Sequence, residues 1–498
     1  MKYQSTRNAA LRIDAAQAIT RGISSEGGLF VPVEIPQIEV ADIECLAEKP
    51  YTQRAIEILS MFLTDFSDEK LVSCVKKAYT EEKFGSDNIT GLAHLYDGIY
   101  LLELWHGPTC AFKDMALQLL PHLLTTSAQI VRNEKEIVIL VATSGDTGKA
   151  ALEGFCDVPG TKIIVFYPEN GVSAMQKRQM TTQRGNNVYV CAIKGNFDDA
   201  QSSVKSIFTD AALQEAMERH GKLFSSANSI NWGRLVPQIV YYISAYADLI
   251  QNEEIKPGDK VNICVPTGNF GNILAAYYAK QMGLPVGKLI CASNRNKILT
   301  DFINTGVYDK NRDFYATISP SMDILISSNL ERLLFDLCGR NDRQINEWYD
   351  ALAQTGKFEV SAAVREKLQS DFYAGFCDDD QTKETIRDTF QKYSYLCDTH
   401  TAVAVRVLQE YREKTGDTRR TILASTANPY KFAPNVLSAV TVPESSDEYA
   451  QIDELFALSG MEVPKALASL KNAVQRFGRS IERDKIREEV IRVLGLSE

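Results

Sequence analysis

The sequence predicts an α/β protein with parallel sheets that carry helices on both faces. Three observations support this class: short apolar runs rich in β-branched residues, helical patterns between most of them, and small or polar loops directly after several of them. Apolar strands that alternate with helices are typical of parallel sheets buried on both sides. The clearest strand candidates lie at residues 136–142, 161–167, 186–193, 260–266 and 288–293. Because such sheets bind ligands at the carboxyl ends of their strands, the loops after these runs are the first candidates for a functional site.

Three segments follow one another along the chain. Residues 1–95 are predicted to be mainly helical, since TQRAIEILSMFLTDF (52–66) and DEKLVSCVKKAY (68–79) repeat apolar residues at helical spacing. Residues 96–440 contain the strand candidates and are predicted to form the core, as two α/β subdomains. Residues 441–498 are charged and helical in pattern, and we expect them to form a C-terminal helical cap.

Composition argues against several classes of protein. The 498 residues are 45% apolar, enough for a large core, and the net charge of −10 argues against a nucleic-acid partner. No run of about 18 apolar residues occurs, so we expect no membrane span. The ten cysteines show no CxxC spacing and the five histidines no HxxxH spacing, which argues against a metal site. We therefore expect a cytoplasmic protein with reduced thiols, present as a monomer or homodimer.

One lysine stands in an unusual setting. In LWHGPTCAFKDMALQLL (104–120), Lys113 follows small or apolar residues and precedes a helical pattern. Taken alone, such a lysine is expected to lie near a helix start with its charge in water. Burial there would instead lower the pKa of its ammonium group, which is the property required of an amine nucleophile.

The loop after the first strand candidate of the core offers an anion site. It reads ATSGDTGKAAL (142–152), and Ser144, Asp146 and Thr147 alternate with its glycines. Small residues let a ligand approach the backbone, and free N–H groups at a helix start favour an anion. The P-loop spacing is absent, because the first glycine and the final serine or threonine of that motif are both missing. The loop suits a carboxylate as well as a phosphate.

A second loop of this kind follows the strand candidate at 260–266. It reads PTGNFGNILA and contains Gly268, Asn269, Phe270, Gly271 and Asn272. Two glycines with asparagines can form a concave run of N–H donors that holds a phosphate. The dinucleotide fingerprint GxGxxG is absent. A tight turn between strand and helix remains the alternative.

Two further segments place polar groups at the ends of predicted elements. Thr426 closes a strand candidate at 421–426, where its hydroxyl could bind a buried heteroatom or simply cap a turn. SSANSINWGRLVPQ (225–238) places Asn231 and Arg234 at a predicted helix start. Arg234 could bind a phosphate or carboxylate through two N–H groups, with a surface or structural ion pair as the alternative.

These features together fit pyridoxal phosphate. Its aldehyde needs an amine of lowered pKa, which Lys113 in a desolvated pocket would supply. Its phosphate needs a glycine-rich cup and no metal, and its pyridine nitrogen needs one partner, for which Thr426 offers a hydroxyl. Lys113 is therefore predicted to be the lysine that forms the Schiff base.

Several motifs resemble those of the threonine synthases, specifically the longer class of that family. They are RGISSEGGLFVP, HGPTCAFKDMALQLL, ATSGDTGKAAL, NSINWGRLVPQ, PTGNFGNILA, SPSMDILISSNLERLL, CDTHTAVAV and STANPYKF, and they run collinearly over roughly residues 1–440. FKD with SGDTG resembles fold-type-II pyridoxal enzymes in general, whereas NSIN, MDILISSN and CDTHTA resemble threonine synthases. The resemblance implies the fold-type-II architecture. It also implies conversion of O-phospho-L-homoserine and water to L-threonine and phosphate, by γ-elimination and β-addition of water.

The resemblance also implies roles for individual residues. Lys113 matches the lysine that holds the cofactor and acts as the base. The loop 268–272 matches the loop that binds the cofactor phosphate, and Thr426 matches the residue that faces the pyridine nitrogen. The candidates for the substrate are Ser144, Asp146 and Thr147 near its carboxylate and Asn231, Arg234 and Lys177 at its phosphate.

Two other functions stay open at this point. A phospholyase of the same fold, acting on O-phosphohomoserine or O-phosphothreonine, would release 2-oxobutanoate because water does not add at Cβ. A non-catalytic nucleotide-binding α/β protein would use SGDTGK as a phosphate loop. That reading has the wrong P-loop spacing and leaves Lys113 and Thr426 unexplained.

Overall fold

The apolar runs of the sequence form the strands of two sheets, whose faces pack against separate hydrophobic cores. The structure, a computed structural model, describes residues 1–86, 88–143, 145–170, 172–208 and 210–496. In the strand Glu136–Ala142, Ile139 belongs to the large central core and its neighbour Leu140 to a core on the opposite face. Successive side chains of a strand point to opposite faces, so a wholly apolar strand must be covered twice. The predicted α/β class is confirmed.

The first sheet has five parallel strands. Their order across the sheet is Ser480–Glu482, Val188–Lys194, Thr161–Pro168, Glu136–Ala142 and Lys222–Ser225. All four pairings are parallel. The carboxyl end of Glu136–Ala142 therefore leads directly into the loop that contains Asp146.

The second sheet has six strands, of which five are parallel. Their order is Phe372–Phe376, Val286–Ser293, Val261–Pro266, Thr421–Ser425, Ile99–Glu103 and Gly91–Tyr96. The edge strand Gly91–Tyr96 runs antiparallel to its neighbour, across the boundary expected at 95/96. Three neighbouring strands end beside one another, at Pro266, Ser425 and Glu103. The loops that follow them carry residues 268–272, Thr426 and Lys113.

Helices surround both sheets. Those of residues 96–440 are Asp114–Leu117, Leu120–Ile130, Asp146–Phe155, Ala174–Thr181, Phe197–Phe208, Ala211–Arg219, Trp232–Gln251, Gly271–Met282, Ile298–Thr305, Leu330–Leu337, Asp342–Thr355, Ala362–Asp371, Asp379–Tyr393, Thr399–Thr415 and Ala433–Val440, with 3₁₀ turns at Pro320–Met322 and Pro429–Phe432 and a two-stranded ribbon of Val307–Asp309 and Lys357–Glu359. Trp232–Gln251 is apolar around most of its circumference, which explains why it is buried along most of its length. Within the described ranges no helix has the length and apolar character needed to cross a membrane.

The N-terminal region combines helices with a small sheet. Its helices are Ala15–Arg21, Val40–Ala47, Tyr51–Phe62, Asp68–Ala78 and Glu81–Phe84. An antiparallel sheet of Asn8–Ile13, Tyr3–Ser5 and Phe30–Pro32 precedes and follows the first helix. The sequence pattern does not indicate this sheet, because two of its strands are only three residues long and show no alternation.

The C-terminal segment is not only a helical cap. It has the helices Glu448–Ser459, Lys465–Ala468 and Ile486–Leu494. It also contributes the strand Ser480–Glu482, which pairs in parallel with Val188–Lys194 at the edge of the five-stranded sheet. Only Ile481 of that strand is buried, so no apolar run marks it in the sequence.

Candidate active site

Lys113 lies in a loop that is tied to the end of a neighbouring strand. The backbone N–H of Phe112 donates to the carbonyl oxygen of Thr426 at 2.8 Å, and the N–H of Asn428 donates to Cys110 O at 3.1 Å. The buried carboxylate of Asp114 accepts from the backbone N–H and hydroxyl of Thr109, at 2.8 and 2.7 Å. These bonds fix the backbone on both sides of Lys113.

The ammonium group of Lys113 is buried and weakly held. Its Nζ donates to Ser321 Oγ at 3.2 Å and lies 3.5 Å from Asp146 Oδ2, and 10% of the side chain is exposed. Burial lowers the pKa of Lys113, the Asp146 carboxylate opposes this, and the charges of Lys431 and Arg234 lower the pKa further. A larger fraction of this lysine is therefore the neutral, nucleophilic amine than of a lysine in water.

Asp146 stands at the centre of a charged cluster. It is the first residue of the helix Asp146–Phe155, and its Oδ1 accepts from Lys431 Nζ at 2.8 Å and from Gln176 Nε2 at 3.1 Å. Burial alone would raise the pKa of Asp146, but Lys431 and Lys113 hold it well below its usual range. Asp146 is therefore a carboxylate at neutral pH, and its side chain binds two lysines.

The turn before Asp146 leaves backbone donors free. Gly145 has φ +135°, and the hydroxyl of Thr143 accepts from the N–H groups of Gly145 and Gly148 at 3.0 and 2.9 Å. No described residue accepts a hydrogen bond from the N–H groups of Asp146 and Thr147. These two groups are therefore available to an anion, as expected at a helix start. Ser144 lies outside the described residues.

The loop 268–272 forms the start of a second helix. Phe270 has φ +64°, and the helix Gly271–Met282 begins directly after it. A Cβ on Gly268 would lie 2.6 Å from the carbonyl oxygen of Ser321, so only glycine fits there. No described residue accepts a hydrogen bond from the backbone N–H groups of 268–272. Such a run of free donors at a helix N-terminus suits a phosphate.

The side chains of this loop are fixed from behind. The hydroxyls of Tyr241 and Tyr242 both donate to Asn272 Oδ1, the former at 2.9 Å. Asn272 Nδ2 is buried without a hydrogen-bond partner in the described part of the chain. Asn329 donates to the carbonyl oxygen of Asn269 through its backbone and side chain, both at 3.1 Å. These bonds hold the Asn272 side chain and the Asn269 backbone in place.

Thr426 follows the strand Thr421–Ser425 and is 5% exposed. Its backbone N–H donates to the hydroxyl of Thr401 at 3.3 Å, and its carbonyl oxygen accepts from Phe112. Its own hydroxyl forms no hydrogen bond with any described residue. The hydroxyl is therefore free to face a ligand beside Lys113.

The candidates for the substrate phosphate differ in their surroundings. Arg234 is buried; its Nη1 donates to Ala227 O at 2.7 Å, while its Nε has no hydrogen-bond partner among the described residues. Burial lowers the pKa of Arg234 to about 10. Asn231 is fully engaged, with its amide on Ile19 O and Ser226 O and its carbonyl on Gly233 N. Lys177 is half-buried, and its side chain forms no ion pair with a described residue.

Four residues in contact with this cluster have no role predicted from the sequence: Lys431, Gln176, Ser321 and His400. Lys431, Ser321 and His400 lie within the motifs that carry the resemblance, and Gln176 lies next to Lys177. Their positions in those motifs were the available signal. The sequence does not show that these side chains lie together, because Lys431, Ser321 and His400 are more than 100 residues from both Lys113 and Asp146.

The residues around Lys113 fit pyridoxal phosphate. A buried amine, a cup of free N–H groups and an unpaired hydroxyl match the cofactor's aldehyde, phosphate and pyridine nitrogen. In the described ranges no three histidine, cysteine or acidic side chains cluster as they would around a metal ion. The site is thus that of a pyridoxal-phosphate-dependent enzyme. A family model described as "Pyridoxal-phosphate dependent enzyme" matches residues 88–363 and agrees with this class.

The family follows from the remaining comparisons. A model described as "Threonine synthase N terminus" matches residues 2–79. The threonine synthase of Pseudomonas aeruginosa is 38% identical over 481 residues, covering 96% of this chain and 99% of that protein. The structure of the PLP-bound threonine synthase of Brucella melitensis superposes with a TM-score of 0.88 at 36% identity and covers 100% of both chains. The chain belongs to the threonine synthase family.

A second group of relatives is longer. "Threonine synthase-like 1" of Homo sapiens is 41% identical over 442 residues, which cover 87% of this chain. The match spans 58% of the length of that human protein. Because the match covers only part of that protein, the reaction of this chain is argued from the residues of its own site.

Proposed function

We propose that the protein is a threonine synthase in activity, converting O-phospho-L-homoserine and water to L-threonine and phosphate. Arg234 carries the proposal. It is a buried guanidinium with an unpaired Nε, no described carboxylate pairs with it, and its charge lowers the pKa of Lys113. A buried cation without a counter-charge is costly, so its partner is expected to be an anion from the ligand. A dianionic phosphate on the substrate meets this requirement.

The three anions of the complex have three sets of donors. We assign the cofactor phosphate to the N–H groups of residues 268–272, and the substrate carboxylate to those of Asp146 and Thr147. Arg234 remains for the substrate phosphate. Asp146 itself cannot bind the substrate carboxylate through its side chain, since both are anions and Asp146 is already paired with Lys431. This division explains why one site has two helix N-termini and one unpaired arginine.

Lys113 performs the proton transfers in this proposal. Pyridoxal phosphate, when bound, supplies an aldehyde that captures amines and a ring that delocalises negative charge from Cα. With the cofactor and substrate bound, the free amine of Lys113 would take the proton from Cα and then a proton from Cβ. Arg234 stabilises the departing γ-phosphate. Lys113 would then return one proton to Cγ, which becomes the methyl group, and one to Cα, while water gives its hydroxyl to Cβ and its remaining proton to the released phosphate. The lowered pKa of Lys113 suits both roles, because a neutral amine is a base and its conjugate acid is readily deprotonated.

The hydroxyl of Thr426 is assigned to the pyridine nitrogen. A neutral hydroxyl does not hold a proton on that nitrogen as a carboxylate would. The ring then withdraws electrons less strongly, which favours elimination and replacement at Cβ and Cγ over transamination. Thr426 supports this assignment through a hydroxyl without a partner among the described residues and a carbonyl oxygen that accepts from Phe112 N, one residue before Lys113.

Product analysis tests the function. The wild-type enzyme with O-phospho-L-homoserine should give L-threonine and phosphate in equal amounts, measured by amino-acid chromatography and a phosphate assay. The phospholyase alternative predicts 2-oxobutanoate and phosphate instead, and 2-oxobutanoate as the main product would overturn the proposal.

A variant tests the observation that carries the proposal. Arg234→Met should raise the KM for O-phospho-L-homoserine about 10- to 100-fold, the value of one or two hydrogen bonds to a charged group. Inhibition by L-homoserine, which lacks the phosphate, is the matched control and should change much less. Equal losses for both compounds would remove Arg234 from the phosphate site.

A further inference from the structure

Ser321 lies between the two anion-binding loops and beside Lys113. It belongs to the 3₁₀ turn Pro320–Met322, which begins far from both loops in sequence. Its carbonyl oxygen packs against Gly268, where a Cβ would be only 2.6 Å away. Its hydroxyl contacts Lys113 Nζ at 3.2 Å and Asp146 Oδ2 at 3.3 Å. Ser321 thus connects the lysine and the carboxylate through its hydroxyl and reaches the phosphate cup through its backbone.

The direction of these hydrogen bonds follows from the chemistry of the groups. A hydroxyl has one hydrogen, and an ionised carboxylate can only accept. Since Lys431 and Lys113 keep Asp146 ionised, the Ser321 hydrogen lies on the bond to Asp146. Toward Lys113 the hydroxyl therefore offers only a lone pair and acts as an acceptor. It accepts from Lys113 both as an ammonium and as a neutral amine.

The backbone of Ser321 is held by a buried histidine. The N–H of Ser321 donates to His400 Nε2 at 3.1 Å, so that nitrogen carries no hydrogen. The hydrogen on His400 Nδ1 then donates to Asp398 Oδ1 at 2.9 Å. Asp398 is the N-cap of the helix Thr399–Thr415 and accepts from the backbone N–H of His400 at 2.8 Å. His400 is 3% and Asp398 1% exposed, so the two side chains that hold the Ser321 backbone are buried.

We propose that Ser321 is a further catalytic residue, which binds one N–H of the Lys113 amine and thereby points its lone pair at the substrate. We further propose that His400, held by Asp398, is a positioning residue that acts through Ser321. The inference rests on the proposed function, in which one amine serves both Cα and Cβ. A neutral amine on a flexible side chain can rotate about its Cε–Nζ bond. A fixed acceptor on one side restricts that rotation and keeps the base aligned with both carbons.

The first test separates kcat from KM. Ser321→Ala should lower kcat about 10- to 100-fold, as expected for one hydrogen bond to a reacting charged group, with little change in KM. Ser321→Thr keeps the hydroxyl and should recover most of the rate. Parallel losses of kcat in the alanine and threonine variants, or an unchanged kcat in Ser321→Ala, would overturn the catalytic role.

A double-mutant cycle tests the role of His400. His400→Ala alone should lower kcat, because the Ser321 backbone loses its acceptor. In the Ser321→Ala background there is no hydroxyl left to orient, so the same change should cost little more. Losses that multiply in the double variant would show that His400 acts independently of Ser321 and would overturn that part of the inference.

A third readout needs neither substrate nor turnover. The apoprotein is mixed with pyridoxal phosphate and borohydride over a range of pH, and the rate of labelling of Lys113 is followed by peptide mass spectrometry. The hydroxyl of Ser321 accepts from the ammonium and so favours its charged form. The midpoint of the labelling profile should therefore fall in Ser321→Ala and stay in Ser321→Thr.

The other charged groups that face Lys113, namely Asp146, Lys431 and Arg234, are the same in all three proteins. An unchanged midpoint in Ser321→Ala would contradict the inference, as an unchanged kcat would. Failure of the wild-type enzyme to form threonine contradicts the proposed function instead. The midpoint of the labelling profile still tests the contact between Ser321 and Lys113.

Discussion

Lys113 and Lys431 are both buried lysines that contact the carboxylate of Asp146, but they are held differently. Lys431 is 0% exposed, and its Nζ has short bonds to Asp146 Oδ1 at 2.8 Å and to Thr109 O at 2.9 Å. Lys113 is 10% exposed, and its contacts with Ser321 and Asp146 are longer, at 3.2 and 3.5 Å. The two lysines share a counter-ion, yet only one can leave it without breaking a short hydrogen bond.

The difference supports the proposed assignment of Lys113 as the reactive lysine and of Lys431 as a structural one. Lys431 pairs with Asp146 at close range and holds that carboxylate in its charged form. Lys113 receives less of that pairing and more of the penalty of burial, which lowers its pKa. Burial alone therefore does not mark a reactive lysine. The combination of burial with weak pairing does.

The largest expected effect is that of Lys113→Ala. This variant should lose at least about 10³-fold in rate, because one group acts both as anchor and as base. It should still bind pyridoxal phosphate weakly through residues 268–272, and its thermal stability should change little. Steady-state kinetics and cofactor titration measure both quantities. Near-normal turnover would refute the assignment of Lys113.

Lys431→Met is the matched variant for the other lysine. Removing one partner of a buried ion pair destabilises a protein by about 3–5 kcal/mol. We expect a loss of this size in the free energy of unfolding, measured by urea denaturation of the holoenzyme. The cofactor should remain attached to Lys113. A variant that folds normally but no longer forms a covalent link to the cofactor would reverse the roles of the two lysines.

Gly271→Leu tests whether the loop 268–272 binds the phosphate of the cofactor. A Cβ at this position would lie 3.5 Å from Asn329 and 3.7 Å from Gln238. Both are ordinary contacts, so the first atom of a side chain fits without clash. A bulky side chain there should block access of a phosphate to the amides of the cup. Affinity for pyridoxal phosphate should fall about 10- to 100-fold, more than the rate at saturating cofactor. Equal affinity in variant and wild type would contradict the phosphate cup.

Thr426 gives the smallest change and the most specific one. Thr426→Ser keeps the hydroxyl and should retain most activity. Thr426→Asp should protonate the pyridine nitrogen, since an adjacent negative charge raises its pKa. Absorbance at longer wavelength should then accumulate with substrate while turnover falls. If Thr426 only caps a turn, both variants would change stability by about 1 kcal/mol and leave the cofactor spectrum unaltered.

Much of the fold followed from the sequence because the core strands are wholly apolar. The strand candidates at 136–142 and 260–266 match Glu136–Ala142 and Val261–Pro266 to within one residue. Strands of only three residues gave no such signal, as Tyr3–Ser5 and Ser480–Glu482 illustrate. The difference is physical: periodicity reports burial on a continuous face, and very short strands have none.

Candidate site residues could be predicted where they lie in a loop after a strand, and not where the candidate depends on contacts across the fold. Lys113, the loop 268–272 and Thr426 stand out because small residues or a hydroxyl follow an apolar strand. Lys431 does not, because nothing near it in sequence shows that its partner is Asp146, 285 residues away by the numbering. Arg234 was marked as a candidate, but only the structure shows that its Nε has no protein partner among the described residues.

Borohydride reduction of the holoenzyme followed by peptide mapping tests the central claim most directly. Reduction converts the link between lysine and pyridoxal phosphate into a stable bond, and mass spectrometry of the digest locates it. The weak pairing and lowered pKa of Lys113 predict that the label lies on the peptide that contains Lys113 and is absent from the peptide that contains Lys431. A label on Lys431, or on neither lysine, would contradict the assignment of the reactive amine.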